Sequence, residues 1–217
     1  MIGDPMKHAP LIVAMVLVVT ACNLTSKFKK TDGVNSNSSP ATSSSGNPTS
    51  VGGEPVEKPE PTAAMTAALA NGQSVKWDQQ GITWTLPANW KKNTATNDIF
   101  QYGSGDGAFL IVSISSMSSD FPTDVSLQAS HSGAKVRQKN GQVDEVKWLE
   151  LDSLRGVEFR ESKPQAADDI RRLQWMTYRK FAGQTQLVNF ILSSRGDNFT
   201  KHQDELYAIL YSTKLTH

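Results

Sequence analysis

Beyond residue 22 the histidines of this sequence are His131, His202 and the C-terminal His217. His131 stands between two hydroxyls, Ser130 and Ser132. A Ser–His–acid device needs a nucleophile and an acid delivered by the fold, and no Gly-x-Ser-x-Gly elbow is present. A histidine on a helix surface is the plainer reading. His202 is followed by Glu205, and a spacing of three puts both on one helix face. Two such groups do not complete a metal site. Gly103-Ser104-Gly105-Asp106-Gly107 has the glycine density of a phosphate loop but lacks the Lys-Ser/Thr that reaches phosphate, so it reads as a hairpin turn. Asp168-Asp169 lacks the regular oxygen-ligand spacing of a calcium loop. Arg171 and Arg172, with Arg179 and Lys180, would form a basic edge on one hairpin. That edge would meet an acidic partner or guard an exposed strand against aggregation. Trp90, shortly after Pro87, is a packing residue or an exposed anchor, and its large apolar area favours packing. No catalytic set, metal site or cofactor site emerges from these groups.

One thiol remains, at Cys22, the single cysteine of 217 residues. A disulfide framework and a four-cysteine zinc site are therefore excluded. The ten residues 11–20 are apolar or small and rise only about 15 Å as a helix, half of a hydrocarbon core. That length suits the core of a signal peptide. The run ends in Val19-Thr20-Ala21-Cys22, which resembles the bacterial lipobox of an aliphatic residue, two small residues and cysteine. Small side chains fit a peptidase slot, the thiol takes diacylglycerol, and cleavage before Cys22 frees an amine for further acylation. Residues 1–21 are thus expected to be a lipoprotein signal peptide. Two or more acyl chains hold a protein stably on a membrane, where one is marginal. Asn23 carries no Asp-type inner-membrane retention signal. In a host with two membranes the expected location is the periplasmic face of the outer one.

Residues 22–72 read as a disordered Ser/Asn/Pro-rich tether. No aromatic residue lies between Phe28 and Trp77, and five of the ten prolines fall from Pro40 to Pro61. Such a segment buries too little apolar surface to offset its ordering entropy. As a flexible coil, fifty residues would span about 40 Å. Residues 63–70 could add two marginal turns of helix.

Residues 73–217 hold all five tryptophans and read as one domain. Residues 82–86 alternate Ile-Thr-Trp-Thr-Leu, a strand with one apolar face. Residues 98–102 and 108–117 pair across the glycine-rich turn. Residues 143–151 and 156–161 pair across Asp152-Ser153, and residues 173–181 and 184–194 across Ala182-Gly183. The last pair is apolar on both faces and should be covered on both sides. A helix capped by Thr123 or Asp124 runs towards Val136. A second starts near Asp197, with Thr200 and Gln203 as a capping box. The class is α+β, an antiparallel sheet with packed helices.

The charge balance, 22 basic against 21 acidic residues, gives a formal net charge of +1. A nucleic-acid binder needs a basic face, so nucleic acid is not an expected partner.

The order of these features resembles the PsbP/DcrB-like superfamily. The strand-to-Pro-x-x-Trp run of residues 81–90, the strand and helix after residue 109, the hairpin with Leu151-Asp-Ser-Leu-Arg-Gly156, and the long hairpin leading to a helix and Tyr211-Ser-Thr-Lys-Leu215 carry the likeness. The resemblance implies an α/β/α sandwich around an antiparallel sheet and binding or assembly work without catalysis. A membrane held through the N-terminal lipid and an envelope protein partner are the expected contacts. A small-ligand carrier, with a groove between sheet and helix, and a hydrolase of envelope material are the alternatives.

Overall fold

The computed structural model describes residues 50–216. The lipobox residues Val19, Thr20, Ala21 and Cys22, and the expected tether up to residue 49, lie outside them. The elements run β1 (Ser50–Val51), β2 (Glu54–Glu57), α1 (Ala63–Ala68), β3 (Gln73–Trp77), β4 (Ile82–Leu86), β5 (Lys91–Ala95), β6 (Ile99–Gly103), β7 (Phe109–Met117) and α2 (Thr123–Lys139). They continue with β8 (Val143–Leu151), β9 (Leu154–Glu161), β10 (Ile170–Phe181), β11 (Gln184–Arg195), α3 (Gly196–Tyr211) and β12 (Lys214–Leu215).

Nine strands form one sheet in the order β1-β2-β8-β9-β10-β11-β7-β6-β5. Every pairing is antiparallel except β2 on β8. A small sheet, β12-β4-β3, lies apart from it. The strands alternate apolar side chains, and both faces of the large sheet are buried at its centre. On one face α2 brings Leu127 and Ala134 onto Val146, Trp148, Val157 and Phe159. On the other, Phe199, Leu206 and Ile209 of α3, with Trp84 of the small sheet, cover Leu173, Trp175, Phe190 and Leu192. The expected α+β sandwich with an antiparallel sheet is the observed one.

Trp90 is buried at 2% exposure and donates from its indole to Glu205 at 3.0 Å. The hairpin turns fall where expected. Asp152, Ser153 and Ala182 take left-handed φ values of 47°, 69° and 49°, as tight two-residue hairpin turns require.

Three expectations need correction. α2 follows Pro122 and no side chain caps it, so neither Thr123 nor Asp124 does. α3 begins at Gly196, which places Thr200 inside the helix and removes the capping box. Residues 50–72 pack on the domain, whose boundary was expected at residue 73. Gly52 and Gly53, at φ 60° and 84°, turn β1 into β2, and β2 lies along β8 with Val56 opposite Trp148. Thr62 accepts the Met65 amide and caps α1, and Met65 and Leu69 pack against the larger core.

Candidate functional site

The four basic residues expected on one edge do not form one surface. Side chains alternate across a strand, so Arg171 and Arg179 of β10 turn to one face and Arg172 and Lys180 to the other. Arg171 is 7% exposed. It donates to Asp144 and to the Glu161 carbonyl, and its guanidinium lies 4.7 Å from the Phe199 ring centre. Arg179 is 4% exposed. It donates to neutral oxygens of Gln80, Gln186 and Thr216. Burial pulls its guanidinium down to about 10. Arg172 pairs with Glu161 at 3.2 Å, and Lys180 is exposed. Burial of two of the four rules out a basic strip.

The histidines are engaged. His131 is buried, stacks on Trp148 at 4.4 Å, and meets Glu54 at 3.2 Å. Burial lowers its pKa, with Lys135 assisting and Glu54 opposing. His202 shares a helix face with Glu205, 3.2 Å from Nδ1, while Asp106 sits 3.1 Å from Nε2. The two carboxylates flank opposite sides of the ring, so they do not converge on one point. Among the described residues no group of three His, Cys, Asp or Glu side chains is placed to hold a metal. No helix among them is long and apolar enough to cross a membrane.

The densest charge lies where β8 and β9 pass beneath α3. Lys147 and Glu158 stand directly opposite each other on the two strands. Glu158 is completely buried. Its carboxylate is 3.4 Å from Lys147 Nζ, yet neither oxygen accepts a hydrogen bond. Lys147 also meets Glu145 at 3.3 Å and Glu57 of β2 at 3.4 Å, and donates to the Tyr211 hydroxyl at 3.4 Å. A bulge at Asp144 breaks the β8–β9 register, and a bulge re-aims side chains. Asp144 thereby reaches both Arg160 and Arg171. Arg160 closes the cluster by pairing with Glu145 at 3.0 Å and donating to the Tyr207 hydroxyl, which in turn donates to Glu145 at 2.9 Å.

Four carboxylates (Glu57, Asp144, Glu145, Glu158) thus face three cations (Lys147, Arg160, Arg171). Burial pushes Glu158 up to about 7; Lys147 opposes this, and the like charges of Glu145 and Glu57 reinforce it. Burial alone would lower Lys147, but the surrounding carboxylates outweigh it and hold the ammonium above the ordinary lysine range. Burial also raises Tyr207 and Tyr211. Burial and the like charges around it favour a proton on Glu158, and that proton balances the charges of the cluster.

A cleft of 620 Å³ opens beside this cluster, bordered by Lys147, Tyr211 and the β2 segment from Pro55 through Glu60. A second hollow of 360 Å³ runs between α1 and α3, bordered by Pro61, Met65, Leu69, Ala208 and again Tyr211. These residues are scattered along the sequence: β8 contributes Asp144, Glu145 and Lys147, β9 and α3 two each, and β2 and β10 one each. The readable signal was Gly52-Gly53, a two-residue hairpin turn just ahead of Val56.

No family model and no curated protein matches the chain. Solved structures are similar to it in fold. Cyanobacterial PsbP (CyanoP) of Synechocystis is 12% identical over 67% of this chain and 92% of that chain, with a TM-score of 0.46. LpqN of Mycobacterium tuberculosis, described as involved in cell envelope biogenesis, is 13% identical over 67% of this chain and 86% of that chain, at 0.48. The Ran-binding protein Mog1p of Saccharomyces cerevisiae is 11% identical over 67% and 95%, at 0.39. At such identities, and with TM-scores below 0.5, these are partial likenesses of fold and nothing more.

Proposed function

We propose that the chain is an exported, lipid-anchored protein of the cell envelope whose globular domain binds a partner and does not catalyse. The apolar run of residues 11–20 and the Val19-Thr20-Ala21-Cys22 motif support the anchor. The observation that carries the binding half is the charged cleft bordered by Glu57, Lys58, Glu60, Lys147 and Tyr211, beside the buried Glu158. A hydrolase reading finds no support in the histidines, since both nitrogens of His202 are taken by carboxylates and His131 is stacked and paired. A second reading, a small-ligand carrier, is favoured by one observation: the hollow between α1 and α3 adjoins the cleft at Tyr211.

The anchor is tested by feeding the native host an alkyne-bearing fatty acid and comparing wild type with Cys22→Ala. Label and membrane sedimentation should both be lost in the variant. Label retained without Cys22 refutes the anchor. The binding site is tested with a photo-crosslinking residue at Lys58, on the cleft rim, against one at Val125, which is 69% exposed on α2. An envelope protein crosslinked from Lys58 and not from Val125 supports a protein partner at the cleft. Equal capture from both, or none from either, rejects it.

A further inference from the structure

We infer that the open part of the large sheet on the α2 side is a self-association surface, and that its occupant is a second copy of this chain laid face to face. The inference is independent of the cleft beside Lys147. The register fixes which side chains share this face. Gln101 of β6, Ile111 of β7, Ile191 of β11 and Gln174 of β10 stand in one row across four strands. Ile99, Ser113, Asn189 and Met176 form the next row. The alternate residues of the same strands, among them Phe100, Val112, Phe190 and Trp175, turn to the other face and fill the larger core. α2 packs over β8, β9 and β10 on this side, and Met176 packs against its core. Beyond it the face stays open. Ile99 is 42% exposed, and Phe109, Ile111, Leu187 and Ile191 are each partly exposed. A contiguous apolar patch of this kind is the mark of an interaction surface.

Charge, shape and area select the occupant. Neither row holds a charged side chain. A two-fold contact sets a surface against itself, so a face of one charge sign would repel its copy. This face has no such charge to repel with. Its amides, Gln101, Gln174 and Asn189, each donate and accept, so they can pair with their own kind. Charges stand at its margin: Arg172, held by Glu161 at 3.2 Å, and Lys91, opposite Gly103. A charged peptide, a nucleic acid or an anionic lipid surface finds no counter-charge in these rows. Depletion of charge together with a larger apolar share is the pattern of homodimer interfaces. Two copies of one sheet also carry the same twist, and aligned sheets stack face to face about 10 Å apart. At the spacing and rise of β structure, β6, β7, β11 and the first half of β10 present about 500 Å² of sheet. Two copies then cover about 1,000 Å² or more, the lower edge of specific interfaces, so the dimer forms reversibly.

The test uses residues 23–217, which retain the whole described domain and both its cores. Sedimentation equilibrium is run from about 1 to 500 μM, the range suited to a contact of small area. The apparent mass should rise from that of one chain to that of two. Ile99→Asp should weaken the dimer about tenfold or more, because each copy then sets a carboxylate into an uncharged contact. Val125→Asp, on α2 and outside the face, should leave it unchanged. A chain with Gln101→Lys and Gln174→Lys, and one with Gln101→Glu and Gln174→Glu, should each stay monomeric. Their equal mixture should associate, because faces of opposite charge then meet. The double variants keep the test valid if Ile99→Asp loosens β6. A wild type that stays monomeric to the top of that range overturns the inference. So does a dimer that survives Ile99→Asp and both double variants, or a mixture that stays monomeric. If the wild type is monomeric yet a photo-crosslinking residue at Ile99 captures an envelope protein, the face serves a different partner and the second copy falls. Capture from Lys58 bears on the cleft alone, so the binding module and the dimer stand or fall separately.

Discussion

Glu158 is held at a position where its charge works against the fold. Its folded pKa lies near 7, above the ordinary 4.5 of a glutamate, because it is buried. The folded state therefore binds the proton more tightly than the unfolded chain between those values, and stability falls as pH rises through that window. A shift of that size corresponds to about 3 kcal/mol. His131 acts in the opposite sense: burial keeps it neutral in the fold, so stability falls as pH drops below about 6.5. Glu158→Gln separates the two effects. Urea midpoints taken from pH 5 to pH 8 should show the variant gaining on the wild type as pH rises, with little difference at pH 5. Parallel profiles would mean that Glu158 is ionised throughout. A second residue-scale case is Gly156. A Cβ there would sit 2.4 Å from the Trp175 indole and 2.6 Å from the Met176 carbonyl oxygen. That indole is fixed, donating to the Leu149 carbonyl at 3.1 Å. Overpacking of a filled core costs about 1–3 kcal/mol or more. Gly156→Ala should therefore lower the urea midpoint by at least that amount, and an unchanged midpoint would show that Trp175 can move.

At the scale of elements, the strap formed by β1 and β2 is held by two kinds of contact. Glu54 meets His131 and Lys135, Glu57 meets Lys147, and Lys58 meets Glu150, all at 3.2–3.6 Å. Val51 and Val56 pack against the α2-side core. Ion pairs with an exposed partner contribute about 0–1 kcal/mol each, whereas apolar burial scales with area, so the valines should dominate. Val56→Asp should free the strap and make residues 50–61 sensitive to limited proteolysis, while Glu54→Gln leaves them resistant. The reverse order of sensitivity would make the ion pairs the clasp. The same contrast explains what the sequence discloses. β4 reads directly from Ile82-Thr-Trp-Thr-Leu86, because alternation reports a strand with one buried face. β2, Glu-Pro-Val-Glu, offers a single apolar residue and a proline, so composition alone assigns it to a tether. β5, Lys-Lys-Asn-Thr-Ala, is exposed throughout and carries no period at all. The ionic cluster is hidden for another reason: Glu57, Lys147, Glu158 and Tyr211 come from four elements, β2, β8, β9 and α3, and meet only in the fold.

At the scale of the whole molecule, the question is where the domain begins. Composition places the start at residue 73, yet the preceding residues supply parts of both cores. Val51 and Val56 join the core under α2, and Met65 and Leu69 join the core around α3. Full burial of such a side chain stabilises by about 1.5–3 kcal/mol, and these four are only partly buried. Together they should contribute about 3–5 kcal/mol, a large share of the 5–15 kcal/mol that holds a typical domain. A chain beginning at residue 50 should therefore match residues 23–217 in urea unfolding. A chain beginning at residue 73 should lose those few kcal/mol and show a smaller dependence on denaturant, because it exposes less surface on unfolding. It would also lack the residues from Pro55 to Ala70 that border both cavities. Equal midpoints for the chains beginning at 50 and 73 would return residues 50–72 to the tether and leave the cleft without a wall.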